Sequence, residues 1–293
     1  MPTLDRITLY PVKSLDGIDV EAARCLAGGA LEHDRRWRLV DMDGRVLNAK
    51  RSPLFHAIRA AFSLDDRTVT LRVDPSALDA GALPAADRRR LAGLGRDTFR
   101  LVPGRGGPCA WLAEAFGADV LLEERADGGF PDDRESPGPT LVSTATLHEV
   151  GRWFGFDLGE SRRRFRANLE IGGCDAFWED TLASPARRLP AVPGDLPADP
   201  YADLPPGEPP SFSIGGIRMV AANVCRRCVV PSRDSRRGAV TGQFRDAFEA
   251  RRRRGLRPDV DAAAWGGLYR LGVNTKPTDG CLGGWLAVGD CLR

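Results

Sequence analysis

The stretch Phe62-Ser63-Leu64-Asp65-Asp66-Arg67-Thr68-Val69-Thr70-Leu71-Arg72-Val73 reads as a β-hairpin spanning residues 64–73. Charged residues 65–67 make the turn. Val69, Leu71 and Val73 alternate with Thr70 and Arg72, which gives the second strand one apolar face. Outward toward the amino terminus, residues 37–41 form a strand that runs into the turn Asp41-Met42-Asp43-Gly44. Residues 6–12 form another, ending at Lys13-Ser14. Short strands at this spacing, joined by charged turns, predict a small barrel or sandwich.

Toward the carboxyl terminus a helix is predicted over 109–116, with Trp111, Leu112, Ala115 and Phe116 on one face and Gly117 as the stop. A strand over 119–123 follows. Residues 125–139, rich in glycine and proline, are the best candidate linker. Ser143 or Thr144 can cap a helix carrying Leu147, Val150, Trp153 and Phe154 on one side. Strands are expected over 165–171, 212–220, 268–274 and 285–291, and a helix over 244–254 with Phe244, Ala247 and Phe248 on its apolar face. Residues 184–210 hold nine of the 22 prolines and must be a loop, because proline removes backbone donors. The expected fold class is therefore α+β, mainly β. A small N-terminal β-barrel-like domain covers 1–125, and a C-terminal mainly-β domain with a few helices covers 126–293, including the proline-rich insertion 184–210.

At 293 residues the chain has ample material for a buried core, and its 42% apolar content is that of a globular protein. A net charge of +2 does not predict a nucleic-acid partner. The start resembles no signal peptide and no stretch is long enough to span a membrane, so a cytoplasmic protein with no membrane partner is expected. In that setting the seven cysteines should stay reduced. The three histidines, His33, His56 and His148, share no motif, which argues against a zinc hydrolase. Gly104, Gly106 and Gly107 lead into Pro108 and make no phosphate loop, so no NAD site is expected.

The chemistry concentrates at Cys225-Arg226-Arg227-Cys228. A thiolate is a strong soft-metal ligand, and flanking guanidinium groups favour the anion. Alone, this motif leaves structural zinc, a redox dithiol and two inert cysteines open. Three further blocks accompany it: Tyr10-Pro11-Val12-Lys13-Ser14-Leu15, Asp34-Arg35-Arg36-Trp37, and Phe165-Arg166-Ala167-Asn168 followed by Gly173 and by Glu179-Asp180. In this order the four blocks resemble the MOSC family with an amino-terminal β-barrel domain, which includes the mitochondrial amidoxime-reducing component and its bacterial relatives. The resemblance extends over nearly the whole chain.

That resemblance implies a molybdenum cofactor, a metal held by one pterin dithiolene and one protein thiolate, here Cys228. It assigns Cys228 as metal ligand and catalytic residue, with Cys225 a neighbour. It implies that Lys13, Ser14 and Arg35 reach the cofactor from the N-terminal domain, and Arg166, Asn168, Arg226 and Arg227 from the C-terminal one. Arginine suits this task because its planar fork matches phosphate and pterin oxygens. Arg166 is expected mid-strand, and Asn168 reads more as a structural hydrogen-bonder than as a reactant. Asp34 and Glu179-Asp180 are read as orienting arginines. Arg251–Arg254 and Arg162–Arg164 are read as solvated cations at element ends. Two departures stand out, Ala167 where the family has proline and Arg226 where it has serine; they put the substrate in doubt.

The implied activity is molybdenum-dependent reduction of N-hydroxylated compounds, with electrons from separate electron-transfer proteins and no iron–sulfur cluster in this chain. Two rivals remain: a sulfur-transfer module using Cys228 as a persulfide carrier, and a non-catalytic carrier of the molybdenum cofactor.

Overall fold

The computed structural model describes residues 1–79, 81–133, 135–183, 211–258, 260–278 and 283–293. The expected proline-rich loop 184–210 and Cys281 lie outside the described residues. The first half of the chain runs β1 (Thr3–Leu9), β2 (Ile18–Val20), β3 (Ala22–Arg24), β4 (Trp37–Val40), β5 (Val46–Leu47), β6 (Ile58–Ser63), β7 (Thr68–Val73), α1 (Pro75–Asp79), α2 (Ala85–Ala92), β8 (Asp97–Arg100), α3 (Cys109–Phe116) and β9 (Leu121–Glu124). The second half runs β10 (Thr140–Ser143), α4 (Thr144–Phe154), α5 (Leu158–Phe165), β11 (Leu169–Gly172), β12 (Ser211–Ile214), β13 (Ile217–Arg226), α6 (Phe244–Arg254), β14 (Arg270–Pro277) and β15 (Trp285–Ala287). The fold is α+β and rich in sheet, as expected.

The predicted hairpin is β6–β7, paired antiparallel from Ile58↔Val73 to Ser63↔Thr68 and extended by β8. Together with the β5-β4-β9 sheet and α3 it encloses one core, with Trp37, Leu39, Phe55, Ile58, Leu71 and Leu112 all buried. Trp37 thus belongs to the core.

A seven-stranded sheet in the order β12-β13-β14-β10-β11-β1-β2 builds the other half. The carboxyl-terminal tail links its two sides: Leu4 N donates to Asp290 O and Leu292 N to Pro2 O, while Ser213 and Arg293 exchange main-chain hydrogen bonds. The strands and tail wrap around a second core containing Leu4, Ile7, Leu169, Ile171, Ile214, Met219 and Leu292. Alternation places these on one face of each strand. This sheet takes strands from both sides of residue 125, because β1 pairs with β11.

Three local expectations need correction. Residues 165–171 are not one strand: α5, capped by Asp157 through Glu160 N at 2.5 Å, runs to Phe165. Arg166 then closes the helix in the left-handed conformation at φ 51°, and β11 begins only at Leu169. Residues 212–220 are two strands folded at Gly215-Gly216, whose φ values of 54° and 86° make the turn. The arginines at the two helix ends are not all solvated. Arg252 is fully buried and pairs with Asp180 at 2.6 Å. Arg164 is 3% exposed and pairs with Glu160 at 2.6 Å.

Candidate functional site

Tyr10, directly after β1, is the platform on which the site is built. Its amide donates to Asp34 Oδ1 at 2.8 Å, and its carbonyl accepts from Arg35 N at 2.8 Å, which locks the first two sequence blocks together. Two guanidinium groups lie over its ring, Arg166 at 4.0 Å and Arg35 at 5.4 Å from the centroid. Burial pushes the Tyr10 phenol up to about 12 despite the pull of Arg166 and Arg35. The hydroxyl therefore stays protonated and donates to Ala167 O at 3.3 Å.

Arg35 pairs with Asp34 and reaches Asn168 Oδ1 at 3.3 Å. Burial opposes its charge, but the Asp34 and Asp132 carboxylates outweigh it and raise the guanidinium above its ordinary value. Arg166 differs. Among the described residues it has neither a carboxylate partner nor a hydrogen-bond acceptor, and burial lowers its pKa. A half-buried cation with only an aromatic face for company is suited to an incoming anion.

Asn168 braces the site. Its Nδ2 donates to Thr8 O at 3.0 Å, and its Oδ1 accepts from Thr140 N at 3.2 Å. Its main chain also bonds Thr8 and Thr140, so one residue ties β1, β10 and the turn after α5.

Ser14, Arg35 and Arg166 all have positive φ, at 75°, 49° and 51°. Non-glycine residues are rarely left-handed, and such conformations concentrate where the surroundings hold a side chain in place for function. Lys13 Nζ donates to Phe130 O at 3.0 Å and pairs with Asp132 at 3.0 Å. Burial lowers its pKa against the attraction of Asp132. Ser14 Oγ accepts from Ala49 N at 3.1 Å.

The fourth block ends β13, whose pairing with β14 shifts register between Val224 and Arg226. Arg227 leaves the strand and is held on three sides. Its amide donates to Tyr269 O at 3.0 Å, its Nη1 donates to Cys225 Sγ at 3.2 Å, and its Nη2 donates to Phe165 O. Phe165 immediately precedes Arg166, so Arg227 joins the cysteine block to the turn that carries the unpartnered cation. Cys228 is half-buried and packs against the N-terminal core beside Val230, with no hydrogen bond to its thiol among the described residues. Arg226 is exposed. No group of three or more His, Cys, Asp or Glu able to hold a metal occurs among the described residues.

The structure thus brings together Arg35, Arg166 and Asn168 around Tyr10, and links Arg227 and Cys225 to them through Phe165. Lys13 and Ser14 form a neighbouring group with Ala49 and Lys50. Four participants went unassigned in the sequence reading: Tyr10, Lys50, Asp132 and Tyr269. Tyr10 stood inside a quoted block, and its signal was an aromatic residue directly ahead of Pro-Val-Lys-Ser. Lys50 and Asp132 carry no local signal.

Residues 1–103 match the MOSC N-terminal beta barrel domain family. Over those residues the chain is similar to that barrel domain. The molybdenum cofactor sulfurases of Drosophila yakuba and Drosophila melanogaster are each 26% identical over 246 residues, covering 78% of this chain. Mitochondrial amidoxime reducing component 2 of Bos taurus is 24% identical over 266 residues, covering 81% of this chain and 68% of that protein. The chain spans only 27% of the length of those sulfurases. Among its described residues no helix is long and apolar enough to cross a membrane.

Proposed function

We propose that this protein is a molybdenum-cofactor-dependent oxidoreductase that reduces N-hydroxylated compounds, with Cys228 as its thiolate ligand to the metal. The observation that carries the reading is Arg166: a cation with no carboxylate partner among the described residues, stacked on Tyr10 beside Arg35 and joined through Phe165 and Arg227 to the cysteine block.

The donor set fits an anionic pterin bearing a phosphate and a soft metal. Lys13, Ser14, Arg35, Arg166, Arg226 and Arg227 supply cations and hydrogen-bond donors, and Asn168 fixes the backbone between them. The thiol of Cys228 supplies the soft ligand. Arg227 Nε is buried with no hydrogen-bond partner among the described residues, a donor left over for a ligand oxygen. When bound, the cofactor supplies two-electron reduction of an N–O bond. The overall conversion takes two electrons and two protons and releases amine and water. The chain's own part is to hold, orient and shield: Tyr10 and Phe165 wall the arginines with aromatic faces, which strengthens their pull on a ligand anion. Electrons would come from a separate electron-transfer protein.

Chemically reduced protein, purified from a cofactor-producing host, should convert benzamidoxime to benzamidine, and Cys228→Ser should abolish turnover. Protein that holds molybdenum but leaves benzamidoxime and hydroxylaminopurine untouched would refute the reductase reading. The sulfurase relatives favour a second reading, in which Cys228 carries a persulfide for cofactor sulfuration. Cyanolysis of metal-free protein would then release thiocyanate, and Cys228→Ser would release none.

A further inference from the structure

The glycine- and proline-rich segment after β9 is anchored at both ends. Phe130 N donates to Arg35 O at 2.8 Å, and the Phe130 ring lies between the guanidinium groups of Arg38, at 4.2 Å, and Arg125, at 4.9 Å. Three residues on, Asp133 Oδ2 accepts from Asn223 at 3.2 Å and from Asn274 at 3.4 Å, on β13 and β14. The segment is a strap from the N-terminal core to the strands that lead to Cys225. Between its anchors stands Asp132.

Asp132 Oδ1 lies 3.0 Å from Lys13 Nζ and 3.3 Å from Lys50 Nζ. The two lysines come from separate loops held side by side by the Ala49 N to Ser14 Oγ hydrogen bond. Because Ser14 Oγ accepts there, its own proton remains available, and it has no acceptor among the described residues. Two ammonium groups therefore converge on one carboxylate, and the Ser14 hydroxyl stands next to Lys13 in the chain at the junction of their two loops. Burial works against the Asp132 charge, but Arg35, Lys13 and Lys50 hold the carboxyl well below its ordinary value. The carboxylate is half-exposed, so an incoming anion can reach the lysines without unfolding the strap.

We propose that Lys50 joins Lys13 and Ser14 in a seat for a phosphate-type oxyanion, and that Asp132 is its internal counter-ion, displaced when the ligand arrives. The seat adds Lys50 as a ligand-binding residue and makes the strap a competitor that disfavours adventitious anions. A tetrahedral oxyanion offers several acceptors to two point charges and one hydroxyl, where a carboxylate offers two. The geometry is independent of the cofactor assignment; only the identity of the ligand rests on it.

The test is calorimetric titration of the metal-free full chain with inorganic phosphate, using wild type, Asp132→Asn, Lys50→Met and the double variant. Asp132→Asn should bind phosphate roughly two- to fivefold more tightly, the scale expected for removing a partly exposed competing ion pair. Lys50→Met should weaken binding in both backgrounds. An Asp132→Asn protein that binds no more tightly, or a gain that survives Lys50→Met, overturns the seat; Asp132→Ser repeats the comparison should the asparagine variant misfold. Molybdenum content separates the two sources of phosphate. A drop in Lys50→Met assigns the seat to the cofactor's phosphate, and unchanged content with weaker phosphate binding assigns it to a free oxyanion. Wild type without molybdenum would refute the cofactor reading and leave the phosphate titration standing as the test of the seat.

Discussion

Arg227 reaches Cys225 and not Cys228: its Nη1 lies 3.2 Å from the Cys225 sulfur, while the Cys228 thiol has no hydrogen-bond partner among the described residues. Two cysteines three positions apart thus sit in different surroundings, one clasped by a guanidinium and one left for a ligand. Arg227→Ala should slow alkylation of Cys225 by iodoacetamide several-fold in the metal-free protein, because the sulfur loses the cation that favours its reactive anion, and change Cys228 less, read by peptide mass spectrometry. Equal changes at both would mean that Arg227 does not discriminate between them.

Asp180 and Arg252 form a buried ion pair at 2.6 Å, with the guanidinium stacked 4.1 Å over Phe177. Breaking such a pair leaves an uncompensated charge inside the protein. Arg252→Ala should therefore lower unfolding stability by about 3–5 kcal/mol in urea titrations. A loss under about 1 kcal/mol would show that water reaches the pair. The loss should be smaller in Asp180→Asn/Arg252→Met, which removes both charges.

Glu179 beside them is fully buried and accepts from Thr146 Oγ1 at 3.0 Å, while its second oxygen has no hydrogen-bond partner among the described residues. Burial, reinforced by the neighbouring Asp180 charge, raises its pKa well above that of an ordinary glutamate. The folded state then binds this proton more tightly than the unfolded chain does. Stability from this group is complete below the unfolded value and is lost as pH rises from there through the raised native one. Glu179→Gln should flatten that decline, so its Tm should exceed wild type's by several degrees at pH 8 and by little at pH 4. A difference independent of pH would refute the assignment.

How much was legible in the sequence depended on whether the signal was local. The helices at Cys109–Phe116 and Phe244–Arg254 and the hairpin at 64–73 declared themselves through apolar spacing and turn chemistry, and the structure keeps them. Residues 165–171 misled because Phe165, Leu169 and Ile171 are apolar under either period; the Asp157 cap and the left-handed Arg166 decide for helix, turn and strand. In sequence Arg252 is one of four cations at a helix end, where solvation is the simplest reading, and only packing against Phe177 and Asp180 reveals it as core. Tyr10, Lys50 and Asp132 were not assigned because their partners lie far along the chain: 82 residues separate Lys50 from Asp132. The blocks themselves named Arg35, Arg166 and Asn168, which the fold does bring together.

Gly129 sits where the strap passes the Arg35 loop. Its φ is +63°, and an added Cβ would lie 2.6 Å from Asp34 O and 2.7 Å from Arg35 O. Those are backbone atoms fixed by the Tyr10 hydrogen bonds, so they have little room to yield. Gly129→Ala should destabilise the fold by about 2 kcal/mol or more, measured by urea midpoint. An unchanged midpoint would mean that the strap is free to shift.

The most direct test of the account is the molybdenum content of three proteins purified side by side from a host that makes the pterin cofactor: wild type, Cys228→Ser and Cys225→Ser. The account predicts close to one metal per chain in wild type and in Cys225→Ser, and a severe loss in Cys228→Ser. Full occupancy in Cys228→Ser, with loss confined to Cys225→Ser, would contradict it.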